Sequence, residues 1–225
     1  MLNWAVRYYP ILRVLKQHDL FENGTLLEIG SGPFGIGTFR KVPFTGCDVE
    51  LPTQTYWPMT PMIGSATNLP LTDKSFDVVL ASDMLEHVPP ALRRQVIGEA
   101  LRVARKLVIF GFPCGVAAHE ADEALKQWYL GEHKKVPVWL EEHMEAEFPD
   151  PSLFDDLPGW KVVQFGNESI RFHIWLIQQE AHGNFVRITG GLAKWLPWLM
   201  EPLVRRADAE PYYRQIFVLS SVDPV

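Results

Sequence analysis

Residues 25–37, Thr-Leu-Leu-Glu-Ile-Gly-Ser-Gly-Pro-Phe-Gly-Ile-Gly, leave the chain little freedom in how it folds. Their apolar start, set off by the turn pair Asn23-Gly24, reads as a short buried strand, and the glycines that follow read as a tight strand-to-helix turn. Such glycines accept positive φ and let a ligand lie against the backbone, while a following helix would aim its unpaired N–H groups at that ligand. Gly30, Ser31 and Gly32 are therefore candidate contacts. Glu28, two residues before the first glycine, would repel a pyrophosphate and suits a ligand carrying an ammonium group.

The pattern Gly30-x-Gly32-x-x-Gly35 is also that of dinucleotide-binding turns, so context has to decide. Asp48, with Val49 beside it, ends a second strand-like run at a distance that suits a ribose contact, which both ligand classes would need. The discriminating text comes later, in Ile-Gly-Ser-Ala-Thr-Asn-Leu-Pro-Leu at 63–71, in Ser-Phe-Asp-Val-Val-Leu-Ala-Ser-Asp-Met-Leu-Glu-His-Val at 75–88, and in the apolar run 107–113. With these in order, residues 26–113 resemble the class I S-adenosylmethionine-dependent methyltransferases, type 11 branch. The resemblance implies an α/β fold, a doubly wound Rossmann-like sheet of seven mostly parallel strands with the last antiparallel, and helical insertions after strands 5 and 6. It implies S-adenosyl-L-methionine as cofactor, held by Glu28, Gly30, Ser31, Gly32, Asp48, Val49, Ser65, Ala66 and Ser82. Ser65 departs from the family, which often has an aspartate there for the adenine amino group. A hydroxyl gives one weaker bond.

The 225 residues are 47% hydrophobic, enough for one sizeable core in a single domain. A formal charge of −6 argues against nucleic acid as partner, which calls for a basic face. Cys47 and Cys114 alone make no disulfide framework, and the opening residues lack the pattern of a secretory signal, so a cytoplasmic location is expected.

Along the chain, residues 1–22 read as a helix that Pro10 could start, and by resemblance it can lid the cofactor. The cofactor-binding half is expected over 23–113. Pro52, Pro58 and Pro61 forbid a crossover helix, so 51–62 reads as an irregular loop with Tyr56 and Trp57 covering the sheet edge or the adenosine. Leu92, Val96, Ala100 and Leu101 mark an amphipathic helix. A helical cap is expected over 114–157, with helices at 117–130 and 138–148, then a strand at 161–165, a second helical insertion over 168–211 and a last strand at 212–221. Trp195 and Trp198 with their leucine neighbours suit core or dimer packing, an apolar substrate pocket, or peripheral contact with a membrane.

Methyl transfer is an in-line displacement that asks mainly for alignment, a dry site and sometimes a base. His87 and His119 are candidate bases, His143 a further one, and His87 reads equally as a structural histidine. The reading requires no metal. An alternative, drawn from ubiquinone-biosynthesis and small-RNA methyltransferases of the wider family, places a divalent cation on Asp83, Glu86 and His87 with His119 as fourth ligand. The acceptor is expected to be a small molecule, lipid or saccharide. A non-catalytic member of the same fold and an NAD-dependent oxidoreductase are the competing readings.

Overall fold

Each buried strand of this protein alternates its side chains between two apolar layers, and that alternation sets the architecture. The computed structural model describes residues 1–54, 56–195 and 197–222, and the side chains of 192–198 lie outside what is described. Seven strands, β1 (Leu26–Ile29), β2 (Phe44–Asp48), β3 (Met59–Ile63), β4 (Phe76–Ser82), β5 (Ala104–Pro113), β6 (Trp160–Ser169) and β7 (Tyr212–Ser221), form one sheet. Their spatial order is β3-β2-β1-β4-β5-β7-β6. Pairs β1–β2, β2–β3, β1–β4 and β4–β5 are parallel, and β7 runs antiparallel to both β5 and β6. The α/β, mostly parallel sheet with its last strand reversed is as expected.

On one face Leu26, Val78, Leu80 and Ile109 pack against Ile11 and Leu15 of helix α1 (Leu2–Gln17). On the other, Leu27, Val79, Ala81 and Val108 pack against Val96 and Ala100 of α2 (Arg93–Val103). Burial on both faces is why these strands read as continuous apolar runs. Each leucine, isoleucine or valine among them contributes about 1.5–3 kcal/mol.

Three local expectations are corrected. Helix α1 does not begin at Pro10 but runs through it, with buried Leu2, Ala5 and Val6 before the proline and Ile11, Leu12 and Leu15 after it. The proline removes one helical hydrogen bond, and packing on both sides holds the two turns in line. After the glycine turn the chain makes only a four-residue 3-10 turn, Gly35–Thr38, instead of a helix. Just beyond it, fully buried Arg40 donates to the carbonyls of Phe21, Gly24, Val42 and Pro43, joining the chain before β1 to the chain before β2. Third, the expected irregular stretch 51–62 already contains the start of β3, which pairs with β2 across Gly46 and Pro61. An edge strand tolerates a proline that a central strand would not.

The remaining helices are α3 (Val116–Gly131), α4 (Val138–Glu142), α5 (Ile170–Glu180), α6 (Gly183–Trp195) and α7 (Pro197–Ala207). The second cap helix thus stops at Glu142, short of the expected 148. Ser169, the last residue of β6, caps α5 by accepting from Phe172 N–H. Met200 and Val204 of α7 pack on Leu2, Ala5 and Val6 of α1. The Trp195 and Trp198 side chains lie outside the described residues. Among the described residues no helix is long and apolar enough to cross a membrane.

Candidate active site

The parallel strands end their carboxyl termini on one rim, where ligands of such sheets bind. A cavity of about 480 Å³ opens there, lined by Gly30, Asp48, Val49, Ser65 and Ala66 among others. Gly30 has φ +71° and donates its N–H to Cys47 O at 2.8 Å, and a side chain on it would collide with Met84. The Asp48 carboxylate is fixed at the cavity wall by the N–H groups of Gly32, at 2.9 Å, and Val49, at 2.8 Å. Each oxygen keeps a further lone pair for a ligand hydroxyl. Ser65 Oγ is paired with Thr67 Oγ1 at 2.8 Å.

Three expected contacts, Glu28, Ser31 and Ser82, are buried outside the lining of this cavity. Glu28 is fully buried, its Oε1 accepting from the Tyr8 hydroxyl at 2.7 Å and its Oε2 from Ile36 N–H at 2.6 Å. Burial pushes its carboxyl up to about 7. Its partners lie in α1 and the 3-10 turn, so it braces the glycine turn from the rear. Ser31 is buried too, with its Oγ donating to Gly32 O and crowded against Gly46. Gly32, half-buried, donates its N–H to Asp48. Ser82 is buried beside Gly111, its Oγ without a hydrogen-bond partner among the described residues.

A second cavity, of about 370 Å³, shares Asp83 and His87 with the first. Asp83 follows β4 with φ +47°, a conformation that asparagine and aspartate adopt more readily than most residues. Arg214 of β7 grips it with Nε at 2.6 Å from Oδ1 and Nη2 at 2.7 Å from Oδ2, and Arg7 of α1 adds Nε at 2.7 Å. Burial works against the Asp83 charge, but the two guanidiniums outweigh it and hold the carboxyl well below its usual range. Arg214 also reaches buried Glu168 at 2.7 Å.

Glu86 lines the same cavity at 7% exposure, and both its carboxylate oxygens are without a partner among the described residues. Burial, and then the nearby Asp83 charge, push its carboxyl well above the usual range. His87 has Nδ1 at 2.9 Å from Glu142, and burial followed by His143 lowers its pKa. His143 Nδ1 lies 2.7 Å from Asp122, which also accepts from the phenol of Tyr213 in β7 at 2.9 Å. The potential ligand atoms of Glu86, His87 and His143 lie within 4.8 Å of one another.

His119 joins neither cavity; its ring packs edge-on against Phe148 and lines a separate hollow with Glu147 and Asp150. For the cation alternative, Asp83 is held by two arginines, and His143, not His119, stands with Glu86 and His87. Helix α1 borders the second cavity through Asn3, Trp4 and Arg7 rather than lidding the first. Arg7, His173, Tyr213 and Arg214 were not singled out by the sequence. The one sign was a tyrosine-arginine pair opening an otherwise apolar last strand.

Residues 45–110 match the type 11 methyltransferase family, described as a methyltransferase domain. No protein of curated function matches the sequence. Among solved structures, magnesium protoporphyrin IX methyltransferase of Synechocystis PCC 6803, with bound S-adenosylhomocysteine, is 11% identical over 94% of this chain and 80% of its own, with a TM-score of 0.54. A protein of Galdieria sulphuraria assigned as a sarcosine dimethylglycine methyltransferase is 13% identical over 100% and 85%, with a TM-score of 0.56. A methyltransferase of Thermotoga maritima is 15% identical over 97% and 92%, at 0.50. At these identities the structures speak for the fold alone, which is that of the class I methyltransferases, and residues 45–110 are the part of the chain similar to the type 11 methyltransferase domain.

Proposed function

We propose that this protein transfers a methyl group from S-adenosyl-L-methionine, held in the glycine-turn cavity, to a small-molecule, lipid or saccharide acceptor held in the arginine-histidine cavity. The observation that carries the reading is that the two cavities meet at Asp83 and His87, so donor and acceptor can face each other across one wall. The cofactor assignment draws support from the Synechocystis relative, solved with S-adenosylmethionine and with S-adenosylhomocysteine bound.

Gly30 lets the amino-acid end of the cofactor approach the backbone, Asp48 accepts from the ribose hydroxyls, and Val49, Ser65 and Ala66 border the adenine. Glu28, Ser31, Gly32 and Ser82 position this wall. Burial keeps His87 neutral near pH 7, with one nitrogen oriented by Glu142 and the other available to take a proton from the acceptor. The two free cysteines suit a reducing compartment such as the cytoplasm. Calorimetry with S-adenosylhomocysteine tests the reading: wild type binds, and Asp48→Ala binds at least about tenfold more weakly, the loss of a charge-assisted hydrogen bond. Equal affinity in both proteins, or none in wild type, refutes it.

A second reading is favoured by one observation. Carboxylates hold Nδ1 of both His87 and His143, leaving the other ring nitrogens as donors beside the unpartnered Glu86 carboxylate, an arrangement that suits a divalent cation. Methyl transfer that survives exhaustive chelation removes this reading.

A further inference from the structure

A third cavity, of about 540 Å³, lies against the acceptor cavity, and Trp4 of α1 belongs to the lining of both. Its character is different. Phe34 stacks on Tyr56 with ring centroids 5.1 Å apart and meets the Trp4 ring edge-on at 6.3 Å, so the aromatic wall is already assembled. Trp57 completes it at 70% exposure, with Tyr56 at 49% and Phe34 at 43%. Lys41, the charged residue of this lining, spends its ammonium on Gly37 O at 2.7 Å. Open aromatic surface gathered in a hollow marks a place where apolar matter is buried.

The neighbouring cavity asks for the opposite. The Glu86 carboxylate, buried and unpartnered, is satisfied by a hydrogen-bond donor entering from the cavity. Two spaces of contrasting chemistry that share one wall fit a single molecule better than two.

We propose that the acceptor is amphiphilic, with a polar, methyl-accepting head against Glu86 and His87 and an apolar body that passes Trp4 into the aromatic cavity. The inference rests on the two-cavity methyltransferase reading above. It makes the apolar body the occupant of this hollow, in place of a membrane surface or a second copy of the chain, because Trp4 lines the hollow and the acceptor cavity alike.

The test is a pair of homologous series, n-alkylamines and n-alkanols from butyl to octyl, titrated calorimetrically into protein saturated with S-adenosylhomocysteine. Affinity rises about two- to fourfold per methylene in both series, as burial of each CH₂ requires. Trp57→Ser and Trp4→Ala flatten that dependence while S-adenosylhomocysteine still binds as in wild type, which also shows that each variant is folded. Glu86→Gln weakens every amine by a similar factor and leaves the slope unchanged. Affinity indifferent to chain length in wild type, or an unchanged slope in both tryptophan variants, overturns the proposal. So does a flat slope in wild type together with vesicle binding or dimerisation that Trp57→Ser abolishes, which hands the hollow to a membrane or a second copy. Failure of wild type to bind S-adenosylhomocysteine at all sinks the underlying reading instead.

Discussion

Glu28 meets the glycine turn from its rear, and this decides what Gly35 must be. A methyl group on Gly35, whose φ is +47°, would collide with Glu28 Oε2, the atom that accepts from Ile36 N–H. Gly35→Ala is expected to cost about 1–3 kcal/mol from backbone strain alone, and to weaken S-adenosylhomocysteine binding by disturbing Gly30 and Gly32. Urea unfolding and calorimetry read the two effects; an alanine variant as stable as wild type contradicts the bracing role. Glu28 also carries a pH signature. Its carboxyl is raised by burial from the ordinary 4.5 to about 7, so the folded state holds this proton more tightly than the unfolded chain. That contribution to stability is fully present below pH 4.5 and is lost as pH rises through 7. Glu28→Gln, which cannot ionise, should gain on wild type by on the order of 3 kcal/mol between those limits. Parallel unfolding curves at about pH 4.5 and about pH 7.5 check the sign.

Arg214 shows what an element contributes beyond its own ladder. From β7 it binds Asp83 at the end of β4 and Glu168 at the end of β6, tying three strand ends together. Arg214→Met leaves two carboxylates buried without this cation, and a loss of about 3–5 kcal/mol in unfolding free energy is expected. A loss below about 1 kcal/mol would show that Arg7 suffices for Asp83, and that His173, whose Nδ1 lies 3.2 Å from Glu168, suffices for Glu168. The same residue explains the limits of reading this chain from its letters. The Asp83–Arg214 pair is 131 residues apart in sequence, and periodicity carries no trace of such a contact. The rim positions of Asp48, Ser65 and Ala66 were legible because Asp48 ends β2 and the other two follow β3 closely. So were β1, β4, β5 and α2, whose burial is continuous or strictly one-sided. Strand β3 was hidden by Pro61, harmless only because the strand is at an edge. The shortness of the turn after β1 was hidden because the glycine pattern announces a turn and not the length of the helix that follows it. Glu28 was placed on the correct strand, but its burial against Tyr8 was not legible, since spacing does not report the depth of a side chain.

Across the whole molecule the sheet is uneven. Strands β5, β6 and β7 are each 10 residues long, whereas β1 has 4 and β2 and β3 have 5 each. The short strands carry the glycine-turn cavity, and β3 among them forms the edge of the sheet. Local opening is easiest where ladders are short and backbone amides lie near solvent. Amide deuterium uptake should therefore run fastest over 44–63 and slowest over 107–112 and 214–219. Adding S-adenosylhomocysteine should slow the first region and leave the second alone. A uniform rate across the sheet would mean that the protein opens as one body. If the gradient is found, the donor nucleotide completes the fold of the half that receives it, and occupancy becomes a condition of that half's persistence in the cell.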